Sequence, residues 1–195
     1  MDHHDDEKSE ENFLGGQMLI AMPGIGDPRF ERAVILICVH SPDHAMGLAI
    51  NRPLDGLAVP DLLDRLGIAC EIQLPDRAVL AGGPVERERG FVIHTDDFVT
   101  AESTMSVADG LALTATRDVL EAMASAHAPR QSILALGCAG WSPGQLEREI
   151  KENVWLTCPA DEALIFDEDH DSKWVRALAK LGISPAMLSA KAGHA

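Results

Sequence analysis

The sequence predicts an α/β (α+β) protein built as one domain from many short strands and helices. Its 195 residues are 46% hydrophobic, enough to bury a sizeable core in a single unit. The 16 glycines and 11 prolines suit short elements joined by turns. Between those breakers, short apolar runs of strand character alternate with stretches of amphipathic helical period.

Residues 1–12, MDHHDDEKSEEN, are almost wholly charged and polar and read as a disordered acidic tail before a single domain over 13–192. Its Asp and His residues lack the fixed geometry a metal site needs. Residues 17–22 form the first predicted strand, ended by a turn at Pro23-Gly24-Ile25-Gly26-Asp27-Pro28. That turn is no phosphate loop, because the lysine and the following helix are missing. Residues 33–39 are the most apolar run and predict a central strand buried on both faces. His40 and His44 have a ligand-like spacing, but Pro42 between them makes a turn and no third ligand follows. Residues 45–50 form another strand, ended by Asn51-Arg52-Pro53; Arg52 reads either as an anion-binding fork or as a partner for one of many carboxylates.

Residues 59–66 have helical period, closed by Gly67. A strand over 78–81 leads into Gly82-Gly83-Pro84, where paired glycines permit positive φ or a close backbone approach, to a ligand or to another part of the chain. Residues 90–94 form a strand ending at His94, which reads more readily as a satisfied structural histidine than as a base. Residues 104–107 and 111–114 predict a hairpin around Asp109-Gly110. A helix over 117–126 with Val119, Leu120 and Met123 inward precedes a strand over 132–136. Near the C-terminus, residues 161–166 make a helical turn and 167–171 an acidic loop. Residues 172–181 form an amphipathic helix with Trp174, Leu178 and Leu181 inward, and 184–195 a docked turn with a frayed end.

The stretch from Gly137 to Leu156 holds two of the three tryptophans and the one enzyme-like motif, Gly140-Trp141-Ser142-Pro143-Gly144. G-x-S-x-G between strand and helix is the pattern of a hydrolase nucleophile elbow. Here the residue after the serine is Pro143, which has no N–H for an oxyanion hole, and four residues, 137–140, lie between the end of the strand and Trp141-Ser142. A structural reading fits better: Ser142 as N-cap, Pro143 at the first helical position and Gln145 completing a capping box. The helix then runs to about Asn153, with Glu147–Lys151 and Arg148–Glu152 as i,i+4 pairs, each giving roughly 0.2–0.5 kcal/mol. No catalytic residue, metal site or cofactor is expected.

Composition excludes further classes. A formal net charge of −15 repels phosphate backbones and anionic membranes, and the absence of tyrosine leaves few platforms for stacking bases, so direct nucleic-acid binding is not expected. Cys38, Cys70, Cys138 and Cys158 lie far apart without a C-x-x-C, the pattern of reduced cytoplasmic thiols. No run is long and apolar enough to span a membrane as a helix.

Several distinctive blocks follow one another along the chain. They are Asp27-Pro28-Arg29-Phe30, then His40 through Gly47-Leu48-Ala49-Ile50-Asn51-Arg52-Pro53, Gly82-Gly83-Pro84-Val85 and Phe91-Val92-Ile93-His94. Gly140-Trp141-Ser142-Pro143-Gly144-Gln145-Leu146-Glu147-Arg148-Glu149-Ile150 and Asn153-Val154-Trp155 complete the series. Over about residues 16–192 the chain resembles the YqgE/AlgH family of bacterial proteins. That resemblance implies a single-domain α/β sandwich with a mixed, partly barrel-like sheet flanked by short helices. It also implies a transcriptional-regulator label linked to alginate and virulence genes, with no catalytic residue or cofactor attached to it. With an acidic charge and no DNA-reading helix, regulation is expected to be indirect, through an unknown protein partner, by a monomer or weak oligomer.

The expected interaction surface is a shallow cleft framed by Asn51, Arg52, Pro53, Gly82, Gly83, Pro84, His94, Gly140, Trp141, Gln145 and Glu149. The alternative is a small-molecule-binding protein or hydrolase for an anionic metabolite. In that case Arg52 grips the anion, His94 acts as general base, and Gln145 or Asn51 orients the substrate.

Overall fold

A computed structural model describes residues 13–192, so the acidic tail assigned to 1–12 lies outside the described residues. In chain order the strands and helices are β1 (Gln17–Ala21), β2 (Val34–His40), β3 (Ala45–Ala49), β4 (Pro53–Ala58), α1 (Val59–Arg65), β5 (Ala78–Ala81) and β6 (Val85–Thr95). There follow β7 (Thr104–Ala108), β8 (Leu111–Thr114), α2 (Arg117–Met123), β9 (Ser132–Trp141), α3 (Gln145–Lys151), β10 (Trp155–Pro159), α4 (Glu162–Phe166), α5 (Lys173–Lys180) and α6 (Pro185–Ala192). The strands join in one sheet of order β10-β1-β2-β3-β9-β6-β8-β7, with β4 on β5 and β5 on β9. Every pair is antiparallel except β5–β9, so the sheet is mixed. It curls on itself: a side chain at Gly16, before β1, would lie 2.8 Å from the Ala108 Cβ of β7.

Strand alternation sorts side chains into three cores. Met18 and Ile20 of β1, and Val34, Leu36 and Cys38 of β2, point into the concave interior, which α4, α5 and α6 fill with Phe166, Trp174, Leu178 and Leu188. The intervening Leu19, Ile35 and Ile37 point outward into a core under α3 with Trp141, Leu146 and Trp155. Beneath α1 and α2, Leu63 and Met123 cover Val79, Val92 and Leu134. β2 is thus buried on both faces, as its unbroken apolar run requires. α5 is pinned by two polar atoms: Trp174 Nε1 donates to Ala21 O at 2.8 Å, and the fully buried Lys173 Nζ donates to Ile50 O at 3.0 Å and Ile165 O at 3.1 Å.

The elements depart from the sequence expectation in several places. β4 was not foreseen, because its Pro and Gly break the strand pattern. β6 begins five residues earlier than residue 90, since Glu86-Arg87-Glu88-Arg89 has no apolar alternation, and its register shifts between Val85 and Gly90. β9 runs through Trp141 instead of stopping at residue 136. At Gly137, with φ 76°, the strand changes register, so interior positions pass from Ile133 and Ala135 to Cys138. Leu181 ends α5 38% exposed, and residues 185–192 are helical.

Candidate functional site: an arginine-lined cleft

Where β3 ends and β5 begins to turn, a cleft of about 310 Å³ opens between Arg29, Phe30, Ala49, Arg52, Leu54, Ala81, Gly83, Pro84, Arg87 and Leu136. Three arginines meet there in different electrostatic states. Arg29 is already held by Asp27: its Nε donates to Oδ1 at 3.0 Å and its Nη2 to Oδ2 at 2.8 Å, which holds the Asp27 carboxyl below the usual carboxylate range. Arg52 Nη2 donates to the Glu31 carbonyl at 2.5 Å, while its buried Nε has no partner among the described residues. Burial pushes the Arg52 guanidinium down, against the opposing pull of Glu31 and Asp27. Arg87 is exposed and has no ion-pair or hydrogen-bond partner among the described residues.

The backbone wall of the cleft is fixed by three glycines. A Cβ at Gly82 would stand 2.2 Å from the Gly137 carbonyl oxygen, one at Gly83 2.2 Å from the Cys138 carbonyl carbon, and one at Gly137 2.4 Å from the Gly83 oxygen. The turn between β5 and β6 lies directly on β9, and the closest approach is to the chain itself. Gly82 donates to Leu136 O at 2.9 Å and accepts from Ala49 N at 2.9 Å, and Ala81 N reaches Arg52 O at 2.7 Å. Asn51 anchors the opposite wall, accepting from Val34 N at 3.0 Å and donating to Arg32 O at 2.9 Å. Its amide holds the turn into β2, where Arg32 takes a φ of 54°, and so positions Arg52 without lining the cleft. Pro53 opens β4 opposite Leu80 and is likewise a wall residue.

A family model described as AlgH-like matches residues 18–186. The chain belongs to the AlgH-like family. It is 65% identical to a UPF0301 protein of Caulobacter vibrioides over 98% of this chain and 97% of that one, and 52% identical to a UPF0301 protein of Bradyrhizobium diazoefficiens over 96% and 91%. The solution structure of the AlgH protein from Pseudomonas aeruginosa superposes with a TM-score of 0.73 at 40% identity, covering 97% of this chain and all of that one. The crystal structure of protein DIP2367 from Corynebacterium diphtheriae, at 22% identity and TM-score 0.71 over 89% of this chain, shares the fold.

In this AlgH-like chain the remaining predicted cleft residues lie elsewhere. His94 is fully buried. Its Nδ1 lies 2.8 Å from Thr95 O and its Nε2 2.8 Å from Thr114 Oγ1, so both ring nitrogens are occupied. It pairs with Ser132 while Val85, beside the cleft, pairs with Cys138, and those six residues of β9 span about 20 Å. His94 therefore belongs to the core and is corrected out of the cleft and out of the general-base role.

Trp141, Gln145 and Glu149 form a separate clamp. Glu149 Oε2 accepts from Trp141 Nε1 and from Trp155 Nε1, each at 2.9 Å, and Oε1 accepts from Gln145 Nε2 at 3.0 Å. Edge-to-face contacts run from Trp141 to Trp155 at 6.1 Å and from Trp155 to Phe30 at 5.8 Å, so the clamp reaches the cleft only through the Phe30 ring. Gly140 is an exposed residue of β9 next to Val85.

The cap at α3 also differs from expectation. Gly144, with φ 71°, is the N-cap, and Ser142 and Pro143 precede the helix. Half of the expected box survives: the Gln145 side chain accepts from Ser142 N at 3.0 Å and from Ser142 Oγ at 3.1 Å. The strand does lead straight to Ser142, contrary to the expected four-residue gap, but the exposed Ser142 hydroxyl donates to Gln145. Glu147 pairs across elements with His40, at 2.5 Å, in place of the expected i,i+4 partner Lys151.

Sequence reasoning missed Arg29, Phe30 and Arg87 as cleft residues. For Arg29 and Phe30 the signal was present, since Asp27-Pro28-Arg29-Phe30 is a short helical turn capped by the Asp27 side chain and aimed back at the sheet. Arg87 sits in an alternating charge run that reads as an ordinary solvated face, and only the extension of β6 brings it to the cleft.

Proposed function

We propose that this AlgH-like protein is a non-enzymatic, cytoplasmic interaction protein. It acts on transcription indirectly, by seating an acidic segment of a partner protein in the arginine-lined cleft. The observation that carries this reading is the state of Arg52 and Arg87. In a chain with 31 acidic residues against 16 basic ones, two guanidinium groups share one cleft without a carboxylate hydrogen-bonded to either. Arginine forks match carboxylates bidentately, and the apolar surfaces of Phe30, Leu54 and Leu136 supply a partly dry setting that strengthens the contact. Among the described residues the cleft lining offers no hydroxyl, thiol, imidazole or carboxylate, which favours binding over turnover. The overall negative charge favours a local carboxylate over an extended phosphate backbone, so no direct contact with nucleic acid is proposed.

A second reading, a compact anionic metabolite as the ligand, draws on the unpartnered Arg52 Nε, which a small anion reaches more easily than a peptide. One titration separates the two. Hexaglutamate peptide and inorganic phosphate are added to wild-type protein and to Arg87→Glu at low salt, with amide shifts around Leu54, Ala81 and Arg87 as the readout. The partner reading expects saturable peptide binding that Arg87→Glu weakens at least tenfold. Saturation by phosphate alone at those amides supports the metabolite reading, and silence from both probes refutes the cleft as an anion site.

A further inference from the structure

We infer that a second, larger cavity binds a non-anionic, mostly apolar small molecule that carries a hydroxyl group. The cavity, about 550 Å³, lies between the segment leading into β5, the exit of α2 and the end of α4. Its volume falls within the range typical of small-ligand sites, roughly 300–1,000 Å³. Leu80, Met123, Ile133, Leu134 and Phe166 give it apolar walls.

The two arginines at its mouth are already matched. Arg77 Nε lies 3.2 Å from Glu168 and its Nη2 donates to Phe166 O at 3.2 Å, while Arg130 Nη2 lies 3.5 Å from Glu162. With each guanidinium facing its own carboxylate, an anionic ligand would have to displace an existing pair, whereas a neutral one would not.

His170 provides the specific contact. It lines the cavity, and its Nδ1 is buried without a hydrogen-bond partner among the described residues. Burial and the neighbouring Lys173 ammonium hold the His170 pKa below its ordinary value, which favours the neutral ring. Nδ1 therefore has hydrogen-bonding capacity that no protein group among the described residues meets. A buried polar nitrogen without a partner is unfavourable, and a ligand hydroxyl, which can donate or accept, would remove that penalty. This site is independent of the arginine cleft. Leu80 lines one and its neighbour Ala81 the other, because successive residues of β5 point to opposite faces.

The test uses 2-naphthol and naphthalene as matched probes, followed through the methyl resonances of Leu80, Met123, Ile133 and Leu134 in wild type, His170→Phe and Ala128→Trp. Ala128 is half-buried at the cavity rim, so a tryptophan there fills the space without entering the core. The expected result is that 2-naphthol shifts these methyls and binds about fivefold tighter than naphthalene, the scale of one hydrogen bond. His170→Phe abolishes that preference and Ala128→Trp blocks both probes. Equal affinity for the two probes in wild type overturns the role of His170, and that comparison stands even if His170→Phe fails to fold. No movement of these methyls up to the solubility limit, or movement only around Leu54 and Leu136 of the arginine cleft, overturns the site itself.

Discussion

Removing the Glu149 carboxylate should unfasten α3 from the sheet, and the size of the effect follows from what the carboxylate holds. Trp141 and Trp155 are 6% and 2% exposed, and both indole N–H groups end on one Glu149 oxygen at 2.9 Å. In Glu149→Ala both donors remain in a largely dry setting without an acceptor, at about 1–3 kcal/mol each. Taking the middle of that range gives a loss of about 4 kcal/mol, a large part of the 5–15 kcal/mol by which native proteins are usually stable. For a protein of this length such a loss lowers Tm by about 8–16 °C. Glu149→Gln keeps a carbonyl oxygen that can serve both indoles, at the reduced strength of neutral hydrogen bonds, and should cost about 1–2 kcal/mol. Urea unfolding followed by tryptophan fluorescence and by far-ultraviolet circular dichroism measures all three proteins. In a Trp141→Phe background the cost of Glu149→Ala should fall by about the share of one indole, about 1–3 kcal/mol. A Glu149→Ala protein within 0.5 kcal/mol of wild type, or a Glu149→Gln protein no more stable than it, would refute the clamp.

Other predictions rest on different parts of the fold. Gly83→Ala places a Cβ 2.2 Å from the Cys138 carbonyl carbon, so it should destabilise by more than about 4 kcal/mol or yield insoluble protein, as judged by expression and thermal unfolding. Burial lowers the Lys173 pKa from 10.5 to about 8, so below pH 8 both folded and unfolded chains carry the proton and the penalty is constant. Between about pH 8 and 10.5 only the unfolded chain binds it, and stability should rise with pH by up to about 1.4 kcal/mol per unit. Denaturant curves of wild type minus Lys173→Met across that window measure the slope, and a flat difference would show the ammonium held by its two carbonyls at an ordinary pKa. Asn51→Ala removes both side-chain bonds that hold the turn into β2 and should cost about 1–3 kcal/mol while also weakening anion binding at Arg52, read from the same peptide titration.

The parts of this fold that were legible in the sequence are those where one physical requirement dominates. The apolar run at 33–39 had to be a strand buried on both faces, and Asp109-Gly110 had to turn a hairpin. Gly82-Gly83 announced a close backbone approach, and the partner is the chain's own β9. The candidate site was legible by half. Arg52, Gly83 and Pro84 do line one cleft, held by Asn51, Pro53 and Gly82. His94 and Trp141 were grouped with them because each sits in a distinctive block, yet distinctive residues also arise where a core needs a satisfied polar atom. The Thr95 and Thr114 oxygens beside His94 and the Glu149 carboxylate between two indoles are contacts across 20 or fewer residues that no spacing rule encodes.

The charge balance explains why the cleft remains a sharper candidate than the clamp. Acidic residues outnumber basic ones, and Arg29, Arg77, Arg89, Arg117, Arg130 and Arg176 each have a carboxylate at salt-bridge distance. Arg52 lies near two acids, Asp27 and Glu31, close enough for both to favour its charged form. Asp27 nevertheless spends both oxygens on Arg29, and Glu31 offers Arg52 its backbone carbonyl. The part-buried guanidinium is thereby oriented by neutral and preoccupied groups, with Nε left over. An oriented cation with donor capacity to spare, next to the unpaired Arg87, meets the physical requirement for receiving an anion, because little side-chain entropy remains to be lost on binding. The Glu149 clamp has the opposite character: both carboxylate oxygens are already occupied, so it holds α3 in place and has little left with which to recognise a partner.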